Sequence, residues 1–230
     1  MTEYIAQFAD RSLGRSDIAP LSGKGAVRLV ACDFEEADLS GLDLTGWVFE
    51  RCGFKQANLA KATLELSKWS HCKGPGASFK GANLEDAAFV SSDFNNSSFR
   101  SAVLSSAKFD NCKLTGGDFS DAKTLDVHFA NTLLVSAKLS GVSFRKLKLV
   151  GLDFSSADLA NCDFRDAIFE NSSLREANIE QAKFQDADLR GADLGGLTLL
   201  REAVRFRGAV VSAAQAELIL SEVGLRVRAR

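Results

Sequence analysis

The sequence predicts an all-β solenoid, a coil built from short extended segments, followed by one short C-terminal helix. Three observations predict it: a large apolar residue at every fifth position, a small residue two places before it, and a turn-forming residue two places after it. Residues 157–194 show the pattern, ADLANCDFRDAIFENSSLREANIEQAKFQDADLRGADL. A helix repeats every 3.6 residues and a strand every 2, so neither explains a period of five.

The frame of five runs without an insertion from residue 34 to residue 199. Of its 34 centres, 32 are Phe, Leu, Ile or Trp, and the site two before is small in 27. In extended backbone these two sites point to the same side, so both can face an interior. The site two after the centre is Gly, Asn, Asp or Ser in 24 of 33 cases, which lets the chain bend. Each five is therefore predicted to form one side of a coil, with coils stacked at strand spacing.

The literal motif A(D/N)LXX recurs along this frame. It appears as ADLSG (37–41), ANLAK (57–61), ANLED (82–86), ADLAN (157–161), ADLRG (187–191) and ADLGG (192–196). The chain thus resembles the pentapeptide-repeat proteins over roughly residues 29–204. The resemblance implies a right-handed quadrilateral parallel β-helix of about nine coils, with four fives per coil. We expect a degenerate N-terminal coil or cap over 1–28, the β-helix over 29–204, and a capping and dimerisation helix with a tail over 205–230.

The pattern is irregular in three places. Phe8, Leu13 and Ile18 are five apart but one residue out of frame, which indicates either a first coil followed by the loop PLSGKG (20–25) or a disordered arm. The centres at Gly74 and Thr124 are not large and apolar. Local bulges or kinks are predicted there, with Leu125 turned inward, and whether Lys73–Gly76 protrudes as a contact loop stays open.

A helix is predicted within residues 210–227. Ser212 and Gln215 form a capping box, and Gly224 suits the helix end. The helix is expected either to cover the last coil or to form a two-fold dimer contact. Resemblance to the quinolone-resistance and mycobacterial gyrase-protecting members of the family implies a homodimer. The candidate contact residues are Ala216, Ile219, Leu220, Val223 and Leu225.

The cysteines and histidines of the sequence do not form a motif typical of a catalytic or metal-binding site. The five cysteines, Cys32, Cys52, Cys72, Cys112 and Cys162, all occupy the small inward site and are predicted to be buried free thiols. His71 and His128 are predicted to lie three coils apart, about 14 Å, too far to share a metal or a proton. There is no CxxC pair and no phosphate-binding loop motif. A non-catalytic protein without cofactor or metal is predicted.

The composition argues against a membrane protein and a strongly basic one. The formal charge is −2, and no run of eighteen apolar residues or secretory signal is readable. We expect a cytoplasmic protein that neither enters a membrane nor binds nucleic acid directly.

The charges are unevenly distributed, and this is the lead to function. Residues 152–204 hold 11 acids against 5 bases, whereas 29–151 hold 14 of each. The candidate acidic partner-binding surface consists of Asp153, Asp158, Asp163, Asp166, Glu170, Glu176, Glu180, Asp186, Asp188 and Asp193.

The resemblance implies a DNA mimic that binds DNA gyrase or topoisomerase IV and modulates it or protects it from quinolones or natural poisons. Residues 29–204 sum to only −6, whereas a comparable duplex carries roughly 25 phosphates, so any mimicry must be local. A solvated surface is the plain alternative reading of these acids. There are two competing functions. The repeat could bind another protein partner, or the tail could bind nucleic acid through Arg205, Arg207, Arg226, Arg228 and Arg230.

Overall fold

The computed structural model describes residues 4–227 and divides after Lys138 into two units. The N-terminal unit contains β1 (Ala6–Ala9), α1 (Arg15–Ile18), a 3-10 helix (Ala19–Leu21), β2 (Val27–Val30), β3 (Val48–Glu50), β4 (Lys68–Ser70), β5 (Ala88–Val90), β6 (Lys108–Asp110) and β7 (His128–Ala130). The C-terminal unit contains β8 (Lys148–Val150), β9 (Ile168–Glu170), β10 (Ser172–Ser173), β11 (Ala192–Asp193), a 3-10 helix (Leu200–Phe206) and α2 (Ala213–Ser221).

Each coil has four sides, as the strand register shows. Strands β2 to β7 pair in parallel with equivalent residues 20 apart, for example Val48 with Lys68. The other three sides make parallel bridges with the same step, such as Asp33 with Gly53 and Asp38 with Asn58. Four fives therefore complete one coil, and the predicted parallel β-solenoid of about nine turns with a short C-terminal helix is confirmed.

The centres of the fives fill the interior with aromatic ladders. Phe79, Phe99 and Phe119 stack face to face in successive coils, with ring centroids 4.9 Å apart at both steps. Neighbouring sides meet edge to face, as Phe89 and Phe94 do at 5.4 Å and 90°. Both arrangements are favourable for aromatic rings, so burial and ring geometry together hold the coils in register.

The turn-forming sites have a single backbone conformation. Every fifth residue from Glu36 to Asp186 has a φ between +48° and +78°, the left-handed region. Glycine enters this region freely and Asn and Asp tolerate it, whereas most side chains are strained there. This conformation is the physical reason for the Gly, Asn, Asp and Ser preference in the sequence.

The predicted interruption at Gly74 is wrong, because the coil keeps its register there. The Gly74 amide donates to the Asp93 carbonyl at 2.7 Å, as its counterparts in other coils do. The Phe94 ring of the next coil occupies the place of the missing side chain: a Cβ on Gly74 would lie 2.3 Å from Phe94 Cε1. Lys73–Gly76 accordingly forms an ordinary side of the coil and does not protrude.

The predicted inward turn of Leu125 is also wrong. Its side chain is 71% exposed, and Thr124 keeps the centre in a half-buried position. Lys123 bridges Val103, so this side keeps the regular register with the coil before it. The bulge or kink predicted at Thr124 stays a prediction.

The N-terminal residues add an irregular turn to the first regular coil. Strand β1 pairs in parallel with β2, but Phe8 lies beside Leu29, so this step is one residue longer than the regular one. Leu13 and Ile18 are buried, and the Gly23 amide donates to the Asp43 carbonyl at 3.0 Å. The out-of-frame apolar residues are thus packed on the solenoid within the described residues.

The last coil is two residues longer than the others. The Phe206 ring stacks on Phe184 at 4.9 Å, and Val210 bridges Asp188, so both pairs are offset by the same longer step. The 3-10 helix takes up the extra length, and the coil continues beyond residue 204 before α2 begins. No helix in residues 4–227 is long and apolar enough to cross a membrane.

Candidate partner-binding surface

Half of the predicted acidic surface has a local structural role. In this set the aspartate directly before the centre accepts a hydrogen bond from the backbone amide two residues on. Asp153 accepts from Ser155 at 2.9 Å, and Asp193 accepts from Gly195 at 2.9 Å. The residues that share this geometry are Asp153, Asp158, Asp163, Asp188 and Asp193. The Asp or Asn of A(D/N)LXX therefore stabilises the bend, whatever else it does.

Three of these five aspartates also form ion pairs with arginine side chains. Hydrogen bonds from Arg165 and Arg190 lower the pKa of the Asp163 and Asp188 carboxyls, and each pair is 2.6 Å apart. Asp193 lies 3.0 Å from Arg175, and its pKa is lowered chiefly by the Gly195 amide. These carboxylates stay ionised, but their charge is largely compensated at the surface.

The side chains of the other five acids accept no hydrogen bond from a backbone amide of the described residues. We call Asp166, Glu170, Glu176, Glu180 and Asp186 the outward carboxylates. Asp166 faces Arg145 at 3.5 Å and Glu170 faces Lys148 at 2.9 Å. Glu176 and Asp186 are exposed, and neither joins an ion pair within the part of the chain that the structure describes.

The outward carboxylates occupy several sides of the coil, so the ten predicted residues do not form one face. Asp166 and Asp186 are the closest in type: both are exposed left-handed turn residues at the same corner, one coil apart. At a coil spacing of about 4.8 Å, two like charges repel, which favours the approach of a cationic partner. Of the two, only Asp166 joins an ion pair among the described residues, a long and exposed one with Arg145, so the Asp186 carboxylate is the less compensated of the pair.

Gln215 holds α2 against the last coil. Its Nε2 donates to the carbonyls of Leu189 and Ala192, both at 2.7 Å, and its Oε1 accepts from the Ser212 amide at 2.7 Å. The side chain is only 9% exposed. The predicted capping box is confirmed, but the sequence did not indicate the two bonds to the last coil, which no spacing rule reveals.

The predicted dimer contact residues divide between the inner and outer faces of this end. Ala216, Ile219 and Leu220 are half-buried, and Ile219 borders two grooves of about 290 and 250 Å³ together with Leu199. Part of the predicted contact is therefore turned towards the protein's own last coil.

On α2 and the residues directly after it, three apolar side chains are more than half exposed. Val223 is 58% exposed and Leu225 is 57% exposed, as a contact surface requires, and Leu218, absent from the predicted set, is 63% exposed. We call these three residues the apolar end. Leu218 could have been included from the sequence, because it lies in the same helical window.

The cysteines and histidines do not assemble into a reactive centre. The prediction of buried free thiols is confirmed for all five cysteines, and burial raises the pKa of Cys112 to about 11 and of Cys162 to about 12. Within residues 4–227 no cluster of three His, Cys, Asp or Glu side chains is arranged to hold a metal. The surface offers charge and apolar contact, which are the means of binding a macromolecule.

Family models match most of the regular coil. A model described as a pentapeptide repeat region matches residues 62–139, and a model of pentapeptide repeats (8 copies) matches residues 28–68, 125–159 and 157–196. No curated protein sequence matches the chain.

Solved structures are similar in fold at low sequence identity. A trypsin-treated variant of QnrB1, a plasmid-mediated fluoroquinolone resistance protein, has a TM-score of 0.71 at 21% identity, covering 99% of this chain and 100% of that one. A second trypsin-treated QnrB1 variant has a TM-score of 0.54 at 22% identity, with 97% and 98% covered. HetL, a pentapeptide repeat protein from the cyanobacterium Nostoc sp. strain PCC 7120, has a TM-score of 0.36 at 19% identity, with 82% and 88% covered.

Proposed function

Because the chain belongs to the pentapeptide-repeat family, we propose that it is a non-catalytic DNA mimic that binds DNA gyrase or another type II topoisomerase through the exterior of its C-terminal unit. The observation that carries the proposal is the corner of Asp166 and Asp186, where two exposed carboxylates lie one coil apart. The named role of QnrB1, fluoroquinolone resistance, supports the choice of partner.

The mimicry is confined to a short region. Five of the ten predicted acids are tied to backbone amides, and arginine compensates three of those, so the surface cannot match the charge density of a duplex. A few weakly compensated carboxylates still steer a cationic groove and fix the register of binding. Affinity then depends on how well the outward carboxylates fit their positions in the partner.

The apolar end joins two copies of the chain in this proposal. Leu218, Val223 and Leu225 are each more than half exposed, and α2 is anchored firmly enough by Gln215 to present them in fixed positions. A two-fold contact would place two acidic regions about one centre and double the local negative charge. In this proposal the homodimer raises the local negative charge to a level at which the protein competes with DNA for the enzyme.

The first test is inhibition of gyrase supercoiling by the purified protein. We expect inhibition at micromolar dimer, and we expect the double variant Asp166→Asn with Asp186→Asn to weaken it by about tenfold, because two charge contacts of about 0.7 kcal/mol each are lost. The matched control is Asp86→Asn with Asp126→Asn. These are exposed left-handed turn residues in the N-terminal unit, so the charge change and the backbone geometry are the same.

Two results would count against this assignment. Full-length protein that leaves supercoiling unchanged at micromolar concentration would remove gyrase as the partner. Equal weakening by the two double variants would show that net charge, and not this corner, governs binding. Repeating the assay with a quinolone and measuring cleaved DNA decides whether binding also protects the enzyme.

The second candidate function is a scaffold for a protein other than a topoisomerase. The compensated aspartates favour it, because exposed ion pairs suit the polar, solvent-accessible rim of a protein contact. This function is favoured if the chain captures a defined protein that is not a topoisomerase subunit and leaves gyrase supercoiling unchanged.

A further inference from the structure

The N-terminal unit carries a groove that the acidic surface does not involve. It lies at the corner that follows strands β4, β5 and β6, and its volume is about 310 Å³. Its lining includes His71, Ser91, Asn111 and the two lysines Lys73 and Lys113. The groove exists because the middle of its three coils has a short side chain, Ser91, at the corner where the outer coils have larger ones.

Four lysines lie in or beside this groove in two matching pairs: Lys73 and Lys113 line it, and Lys68 and Lys108 lie on the strands that lead to it. Along the strands, Ala88 lies between Lys68 and Lys108. Beyond the corner, Asp93 lies between Lys73 and Lys113. Each pair is therefore separated by two coils, about 9.6 Å, and all four lysines are exposed. We call these four lysines with His71 and Asn111 the basic groove.

The lysines about the basic groove outnumber the acids that line it. None of the four lysines forms an ion pair with any residue that the structure describes. Asp93 lies between Lys73 and Lys113 and offsets part of their charge, while its Oδ1 accepts from the Asn95 amide at 3.2 Å. Lysines without an ion pair also occur elsewhere in the described residues, for example Lys61 and Lys80, so these four are distinguished by their arrangement about the groove.

We propose that the basic groove binds phosphate groups, either of a free oligophosphate or of a nucleic-acid backbone. Ammonium groups on opposite walls can each contact a separate phosphate oxygen, and lysine suits phosphate as a compact point charge. Between the walls, the Ser91 hydroxyl accepts from Asn111 Nδ2 at 3.1 Å, which leaves its own hydrogen and the second amide hydrogen of Asn111 as donors. His71 Nδ1 is hydrogen-bonded to Ser70 Oγ at 2.8 Å, so Nε2 is the ring nitrogen left to face a ligand. A single row of lysines would offer no such enclosure.

This site is independent of the proposed topoisomerase contact. Its residues belong to the N-terminal unit, whereas the outward carboxylates belong to the C-terminal unit. The predicted basic tail is a different feature, and Arg228 and Arg230 of that tail lie outside the described residues. The expectation that nucleic acid is not bound directly is what this inference revises.

The test uses the full chain with two probes, tripolyphosphate followed by calorimetry and a fluorescent single-stranded oligonucleotide followed by anisotropy. We expect binding at about 50 mM salt that weakens steeply as salt rises, as phosphate contacts do. Lys73→Gln with Lys113→Gln should weaken binding by about tenfold, because two of the four ammonium groups are removed. The matched control is Lys61→Gln with Lys80→Gln, exposed lysines of the same unit outside the groove.

Each outcome bears on the proposal. Binding of tripolyphosphate, or of the oligonucleotide alone, supports it and identifies the source of the phosphate. Equal weakening by the two double variants would overturn it, and so would equally tight binding of polyglutamate, because the groove would then recognise negative charge without preference for phosphate. If neither probe binds at low salt, the proposal is also overturned. Matching thermal melts of all variants would exclude unfolding as the cause.

Discussion

Replacing Gln215 by glutamate is expected to release α2 from the last coil. The glutamine Nε2 donates to the Leu189 and Ala192 carbonyls, and a carboxylate oxygen in its place would face two acceptors without a proton. Each buried carbonyl left without a donor costs about 1–3 kcal/mol, and repulsion adds to this. We expect loss of amide-exchange protection across Ala213–Ser221 and loss of the proposed dimer in sedimentation, because the apolar end would no longer be held in place.

The matched control is Gln181→Glu, the same charge change at an exposed turn site of the same unit. It should leave exchange and sedimentation unchanged. Lowering the pH should partly restore the Gln215→Glu variant, since burial raises the pKa of the introduced carboxyl and protonation returns one donor. A variant with native exchange protection would show that the two 2.7 Å bonds do not anchor the helix.

Restoring the apolar centre at Gly74 is expected to destabilise the protein, although it improves the repeat pattern. A Cβ there would lie 2.3 Å from Phe94 Cε1 and 3.0 Å from Phe54 Cβ. The Phe94 ring cannot move freely, because it packs edge to face against Trp69 at 5.8 Å and Phe89 at 5.4 Å. Overpacking of this kind costs about 1–3 kcal/mol, so Gly74→Leu should lower the urea midpoint.

A second substitution separates this explanation from a general intolerance of side chains at residue 74. Phe94→Leu removes the ring that fills the gap, so the double variant Gly74→Leu with Phe94→Leu should be more stable than the sum of the single changes predicts. The coupling should reach at least about 0.5 kcal/mol in favour of the pair. Strict additivity would contradict the packing seen here, and Trp69 fluorescence reports the local environment directly.

The sequence predicted the solenoid because its rule is local. A centre, a small partner two places earlier and a left-handed turn residue two places later are all set within a single five. The interruption at Gly74 was misread because the compensation comes from another coil: the ring that replaces the Gly74 side chain belongs to Phe94 in the next coil. A pattern within one five contains no information about its neighbour in the stack.

The candidate surface was predictable only in part for the same reason. The sequence located the acidic region and the capping box, but Arg175 compensates Asp193 from a different coil, and Gln215 reaches back to Leu189 in the last coil. Once the register between coils is known, such pairs become apparent, and the basic groove emerges from lysines that lie two coils apart. The direction of the side chains at the outward sites does not follow from the register and is given only by the structure.

Competition with DNA for the topoisomerase is the most direct measurement of the proposed mimicry. Labelled duplex bound to gyrase should be displaced by rising concentrations of the full chain. Displacement should be complete at every DNA concentration, and the protein concentration at half displacement should rise in proportion to the added DNA. Simultaneous binding of duplex and protein, with neither affinity altered, would contradict the claim that the acidic exterior occupies the place of DNA.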